Sequence, residues 1–155
     1  MAVAELAKAA ACREPLTGIY PCPMKSPCYC STLRAAARKA TALYDAALAP
    51  AGVNVAQYGL MRRIERRGTV SLTELGRLSE LDRSTIGRNA RVLMRLGLVR
   101  FETADDQREA ALSLTGKGVE TVRKAQPMWE EAQRRLEAAL GAEGAERLRR
   151  LAQSL

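Results

Sequence analysis

From residue 31 onward the chain alternates between apolar stripes at helical spacing and short breaks rich in glycine, proline or aspartate. In STLRAAARKATALYDAALA, Leu33, Ala36, Ala37, Ala40, Leu43, Tyr44, Ala47 and Leu48 recur at i, i+3 and i+4, which predicts a helix. Ser31 is a fitting N-cap, and Pro50 with Gly52 ends the run. A second helix is predicted over roughly 54–67, burying Val55, Tyr58, Met61 and Ile64 and turning Arg62, Arg63, Arg66 and Arg67 to solvent, with Gly68 as its stop. In SLTELGRLSEL, Ser71 and Glu74 fit a capping box ahead of Leu72, Leu75 and Leu78. After a break at residues 79–81, Asp82 is the expected N-cap of a helix with Ile86, Ala90, Leu93 and Leu96 on its apolar face, closed by Gly97.

Two short helices joined by such a turn form a candidate helix-turn-helix, a pattern shared by many helical proteins. The next residues sharpen it. LVRFET alternates as a strand with Val99 and Phe101 on one face, ADDQRE reads as a turn, and AALSLT returns with Ala110, Leu112 and Leu114 on one side. A hairpin directly behind a helix-turn-helix predicts a winged helix, here over 54–115. Thr115 then caps a long helix from about 116 to 140, interrupted near Pro127, and a last helix covers about 143–154. Val119, Val122, Trp129, Leu136, Leu140, Leu148 and Leu151 line these two. The predicted fold class is mainly α with a small β-hairpin wing.

Composition narrows the function. At 155 residues, 47% apolar and 27% charged, the chain is one globular domain that builds its core from aliphatic residues, since aromatics are only 4%. Histidine is absent, which removes Ser-His-Asp triads, imidazole acid–base catalysis and the commonest zinc ligand. No Walker loop, G-x-G-x-x-G or G-x-S-x-G occurs, so neither an enzyme nor a bound cofactor is expected. The start, MAVAELAKAAACREPLTG, is broken by Glu5, Lys8, Arg13 and Glu14, and no run of about 18 apolar residues exists. A cytoplasmic protein with no membrane partner is expected. The net charge of +8 favours an anionic partner.

That charge is concentrated in DRSTIGRNARVLMRLGLVR. From Arg83 to Arg100 it holds five arginines (83, 88, 91, 95 and 100) and no acid. A helix lying in a major groove buries one side on its own domain and offers the other to phosphates and bases, where arginine releases counterions and reads guanine. Its N-terminal turn approaches the bases, which singles out Arg83, Ser84 and Thr85, then Gly87 and Arg88, with Arg91 a turn further. Gly87 suits either a close approach to DNA or tight packing against another helix. The bland reading of the arginines is a solvated face; the missing counter-charges, the helix-turn-helix ahead and the hairpin behind all favour double-stranded DNA.

LDRSTIGRNARVLMRLGLVRFETADDQREAALSLTGKG resembles the core of the MarR family of bacterial transcription regulators. The features that carry the resemblance are the STIGR opening, the L-x-x-x-G-L-V exit into the wing, the D-x-R at Asp106–Arg108 and the L-T-x-x-G at Leu114–Gly118. It covers about 31–155. It implies an obligate homodimer in which helices over 31–50 and 116–155 interlock and carry two winged-helix lobes into successive major grooves. It also implies that Arg108 enters the minor groove with Asp106 bracing the wing. Many relatives bind small aromatic carboxylates between the dimer helices and the lobe. The residues here that suit such an effector are Tyr29, Arg34, Arg38, Tyr44 and Tyr58, each of which also suits ordinary packing or a solvated face. The implied function is a repressor released from a pseudo-palindromic operator by its effector.

Residues 1–30 stand apart. All four cysteines and the prolines at 15, 21, 23 and 27 lie there, so an extended arm is predicted. Cys22, Cys28 and Cys30 crowd its end, with Cys12 upstream. Three readings stay open: small apolar residues packed on the dimer helices, a soft-metal site, and a thiol redox switch. The peroxide-sensing branch of the family has a reactive cysteine near the start of its first helix, beside tyrosines, as Cys28 and Cys30 flank Tyr29. A cysteine-based, redox-sensing repressor is thus the alternative function.

Overall fold

The computed structural model describes residues 28–102 and 111–154, which form five α-helices, one turn of 3-10 helix and a three-stranded sheet. The order is α1 (Tyr29–Leu48), the 3-10 turn (Ala49–Ala51), α2 (Val55–Arg67), β1 (Thr69–Ser71), α3 (Leu72–Ser79), α4 (Arg83–Arg95), β2 (Val99–Glu102), β3 (Ala111–Leu114) and α5 (Gly116–Ser154). The mainly helical fold with a small antiparallel sheet agrees with the sequence reading. The chain divides into two units within α1, between Arg34 and Ala35.

Helix starts follow capping chemistry. Asn54 and Gln57 form a reciprocal capping box at α2, the Ser71 hydroxyl accepts the Glu74 amide at α3, and Asp82 accepts the Thr85 amide at α4. At α5 the Thr115 hydroxyl accepts the Gly118 amide at 3.0 Å and donates to the Gly97 carbonyl at 2.7 Å, tying that helix to the end of α4. α1 starts earlier than predicted. Thr32 donates its amide (3.0 Å) and its hydroxyl (3.2 Å) to the Cys28 carbonyl, so Cys28 caps the helix and Ser31 lies inside its first turn.

One strand escaped the pattern. β1 lies antiparallel to β3, with Val70 opposite Leu112, and β3 also pairs with β2, with Phe101 opposite Leu112; the strand order is β1-β3-β2. Three residues are too few to show alternation, and Ser71 also serves α3 as its cap. On the edge strand β2, Val99 and Phe101 lie two residues apart, yet Val99 is buried while Phe101 stays 42% exposed. Leu96 is likewise exposed, because α4 ends at Arg95 and the chain turns away.

α5 passes through Pro127 without the predicted interruption, and its only non-helical residue is Gly141, at φ +69°. There the helix reverses. Arg149 pairs with Glu137 at 2.7 Å, whereas twelve residues of straight helix would separate them by about 18 Å. The core joins Leu48 of α1, Met61 and Ile64 of α2, Leu75 of α3, Ile86 and Leu93 of α4, Leu112 of β3 and Val122 of α5. Among the described residues no helix is long and apolar enough to cross a membrane.

Candidate nucleic-acid interface and an adjoining cleft

α4 buries Ile86, Ala90 and Leu93 and exposes Arg83, Ser84, Arg88, Arg91 and Arg95, with Thr85 and Gly87 half-buried. None of the four arginines on α4 forms an ion pair among the described residues. The fifth differs: Arg100, on β2, pairs with Glu102 at 2.8 Å, a counter-charge just past the acid-free stretch. Glu102 also accepts the Ser113 hydroxyl, and these two donors, Ser113 foremost, hold its carboxyl below the usual range. A Cβ at Gly87 would meet nothing within 4 Å, so packing against a neighbouring helix does not account for this glycine. Arg108 and Asp106 lie outside the described residues.

The cap of α4 does more than start a helix. Asp82 Oδ1 accepts the Ser84 hydroxyl (2.5 Å) and the Thr85 amide (2.8 Å), Oδ2 accepts the Thr85 hydroxyl (2.7 Å), and Arg88 Nη2 donates to Thr85 Oγ1 at 3.2 Å. The Ser84 and then the Thr85 hydroxyl push the Asp82 carboxyl far below the ordinary carboxylate range, so it is ionised at neutral pH. Sequence reasoning placed the cap but not this network.

A cleft of about 640 Å³ opens beside α2, lined by that helix, by Leu78 of α3 and by Gln126, Trp129 and Glu130 of α5. Its α2 wall holds Tyr58 and the four arginines expected at the surface. Arg63 is not a solvated residue. Its Nε donates to the Leu78 carbonyl and its Nη1 to the Gly59 carbonyl, both at 3.0 Å. A Cβ at Gly59 would stand 3.2 Å from that Nη1, so the bare glycine leaves room for the guanidinium against α2. Arg62 pairs with Glu65 and Arg67 with Glu74, which leaves Arg63 and Arg66 without a carboxylate among the described residues. Trp129 stacks on Tyr44 at 6.3 Å and meets Tyr58, tilted, at the same distance. Burial pushes both phenols up, so both keep their protons at neutral pH.

Trp129 therefore gathers two of the five residues proposed for an effector, Tyr44 and Tyr58, and the Tyr44 hydroxyl donates to Gln133. Arg38 is exposed on α1. Tyr29 and Arg34 fall in the other unit, where both are exposed. In that unit Cys28 and Cys30 are free and exposed, and Cys22 lies outside the described residues. The Ser31 amide, the Ser31 hydroxyl and then the Cys30 amide hold the Cys28 thiol below its ordinary value. Among the described residues no three metal-ligating side chains gather.

A family model described as MarR family matches residues 51–109, the helix-turn-helix and wing. An uncharacterised HTH-type transcriptional regulator, YhbI of Bacillus subtilis (strain 168), is 30% identical over 125 residues, which cover 80% of this chain and 81% of that protein. The chain belongs to the MarR family. The MosR regulator of M. tuberculosis, solved in complex with DNA, is 32% identical and superposes with a TM-score of 0.73 over 83% of this chain and 96% of that one. A cysteine-to-serine variant of MarR from E. coli, complexed with operator DNA, reaches a TM-score of 0.74 over 80% of this chain and 90% of that one, at 19% identity, a likeness of fold alone. As a member of the MarR family this protein is a transcriptional regulator rather than an enzyme.

Proposed function

We propose that this MarR-family protein binds a pseudo-palindromic DNA operator as a homodimer and represses transcription until an aromatic carboxylate enters the cleft. The observation that carries the DNA reading is the face of α4: four exposed arginines without acidic partners among the described residues, on a helix whose opposite face is locked into the core. Arg83, Ser84, Thr85, Gly87, Arg88 and Arg91 are the proposed DNA contacts, with Arg108 in the minor groove and Asp106 behind it. MosR, bound to DNA in its solved complex, supports the same partner for this chain.

Leu140, Leu148 and Leu151 of α5 stay 39–45% exposed in the single chain, an apolar stripe that supports pairing of copies through the helices at 31–50 and 116–155. The cleft supports an anionic aromatic effector, since Arg63 and Arg66 offer N–H donors to a carboxylate and Trp129, backed by the buried Tyr58, offers a ring. Arg63 also caps the last turn of α3, just ahead of the turn into α4. An acid that draws its guanidinium off the Leu78 carbonyl loosens the seat of the recognition helix.

The direct test is binding of the full chain to the DNA upstream of its own gene across a salt series. Tight binding that weakens steeply with salt is expected, with Arg88→Ala and Arg108→Ala each costing several-fold to tenfold and lowering the logarithmic salt slope by about one. Flat, weak binding untouched by either substitution would falsify the reading.

The chemistry at Cys28 favours a second reading, in which a peroxide oxidises its thiolate to a sulfenic acid and is itself reduced, and DNA release follows. Because the folded thiol titrates below its ordinary value, Cys28 should react with iodoacetamide at pH 7 several-fold faster than a cysteine in an unstructured peptide. Ser31→Ala should slow it. Equal rates in peptide mapping would leave only the effector-gated function.

A further inference from the structure

We infer that Asp82 is a specificity-determining residue: it fixes Ser84 and Thr85 as hydrogen-bond acceptors, so that α4 reads the amino group of adenine or cytosine. The inference rests on the DNA-binding reading and adds which base chemistry α4 selects.

The donor inventory forces the polarity. An ionised carboxylate only accepts, so the contacts of Asp82 with Ser84 Oγ at 2.5 Å and Thr85 Oγ1 at 2.7 Å each consume that residue's single hydroxyl proton. Arginine only donates, so the 3.2 Å contact from Arg88 Nη2 occupies one lone pair of Thr85 Oγ1. What remains on the two hydroxyls is acceptor capacity alone, two lone pairs on Ser84 and one on Thr85. Neither hydroxyl has a proton left for a phosphate, for guanine O6 or N7, or for thymine O4. Each can accept from adenine N6 or cytosine N4, the two amino groups in the major groove.

Charge-assisted O–H···O⁻ bonds are the strong members of their class, so binding DNA does not readily turn these protons outward. The same chain of bonds holds Arg88, which keeps its other N–H groups for guanine or phosphate. Asp82 is thus a positioning residue that need not touch DNA.

Asp82→Asn separates this role from helix capping, because asparagine is as good an N-cap as aspartate. The Thr85 amide, which requires an acceptor, fixes the amide oxygen at the Oδ1 position. The amide NH₂ then faces Thr85 Oγ1 and donates to it, which turns the threonine hydroxyl proton outward.

Selection of duplexes by the full-length protein from a randomised pool, with circular-dichroism melting of each variant as the folding control, tests the inference. The expected result is that wild type enriches adenine or cytosine on the strand position whose preference Thr85→Val or Ser84→Ala erases. Asp82→Asn, melting with wild type, should admit guanine or thymine at the Thr85-dependent position with a roughly tenfold shift in ratio. As a check needing no protein variant, replacing the selected base by its analogue without the exocyclic amino group should weaken wild-type binding about tenfold. The inference is overturned if wild type prefers guanine or thymine at that position, if Asp82→Asn selects as wild type does, or if neither hydroxyl deletion changes any position. A pool from which nothing is enriched removes the DNA reading and this inference with it.

Discussion

Gly118→Ala is expected to lower the melting temperature of the chain by about 10 °C, and Gly116→Ala, two residues earlier on the same helix, to leave it unchanged or raise it slightly. A Cβ on Gly118 would stand 2.0 Å from the Leu98 carbonyl oxygen, 3.1 Å from the carbon behind it and 3.4 Å from the Leu114 Cβ. The two closest are backbone atoms, and they are held. The Leu98 carbonyl accepts the Thr115 amide at 3.1 Å, while the Leu98 amide donates to Leu93 at 2.9 Å. Relief of the overlap must pull α5 off β2 or break the link between α4 and the wing, at a cost of about 3 kcal/mol after the better helix propensity of alanine is counted. At Gly116 the added methyl meets nothing within 4 Å. Thermal melts of the two variants decide the matter; equal midpoints would mean that α5 does not sit this close to Leu98 in solution.

Salicylate, used as a probe of the cleft, is expected to quench the fluorescence of Trp129 saturably and to weaken operator binding over the same concentration range. Trp129 is the only tryptophan in the chain, so the signal reports one place. Arg63→Ala and Arg66→Ala should each raise the dissociation constant about tenfold, and the pair together about a hundredfold, because each removes charge-assisted donors worth about 1.5–3 kcal/mol. Arg67→Ala should matter less, since that guanidinium is already paired with Glu74 and half-exposed. Glu130→Gln should tighten binding by removing a like charge from the rim. Quenching that never saturates, or that ignores both arginines, would sink the effector site.

Much of this was legible in the sequence because it is local. The caps at Ser71, Asp82 and Thr115 and the stop at Gly68 each depend on a residue and its neighbours within one turn, and each stands where the pattern put it. Recognition of the L-T-x-x-G motif was also sound, though only the structure supplies its reason: the threonine ties α5 to Gly97 and the glycine lets α5 pass over Leu98. What stayed hidden depends on partners distant in the chain. β1 exists because β3 pairs with it, the cleft exists because α2 faces α5, and Arg63 looked solvated because nothing near it announces the Leu78 carbonyl. Gly59, one turn before Arg63, was the local trace of that contact. Pro127 was misread for a different reason. Proline disfavours a helix interior but does not forbid it, whereas the break expected between the helices at about 116–140 and 143–154 is there, at Gly141, where φ is positive.

The sheet has a consequence for how the protein is born. Its central strand, β3, is the last of the three to be synthesised, after the helix-turn-helix and both outer strands. Until Leu112 arrives, Val70 and Phe101 have no partner between them, and the core under α4 lacks one of its fully buried side chains. A nascent chain therefore carries its arginine helix on an unfinished lobe. A fragment that stops short of Ala111 lacks that strand and the whole of α5, and with them Leu112 and Val122 of the core that seats α4.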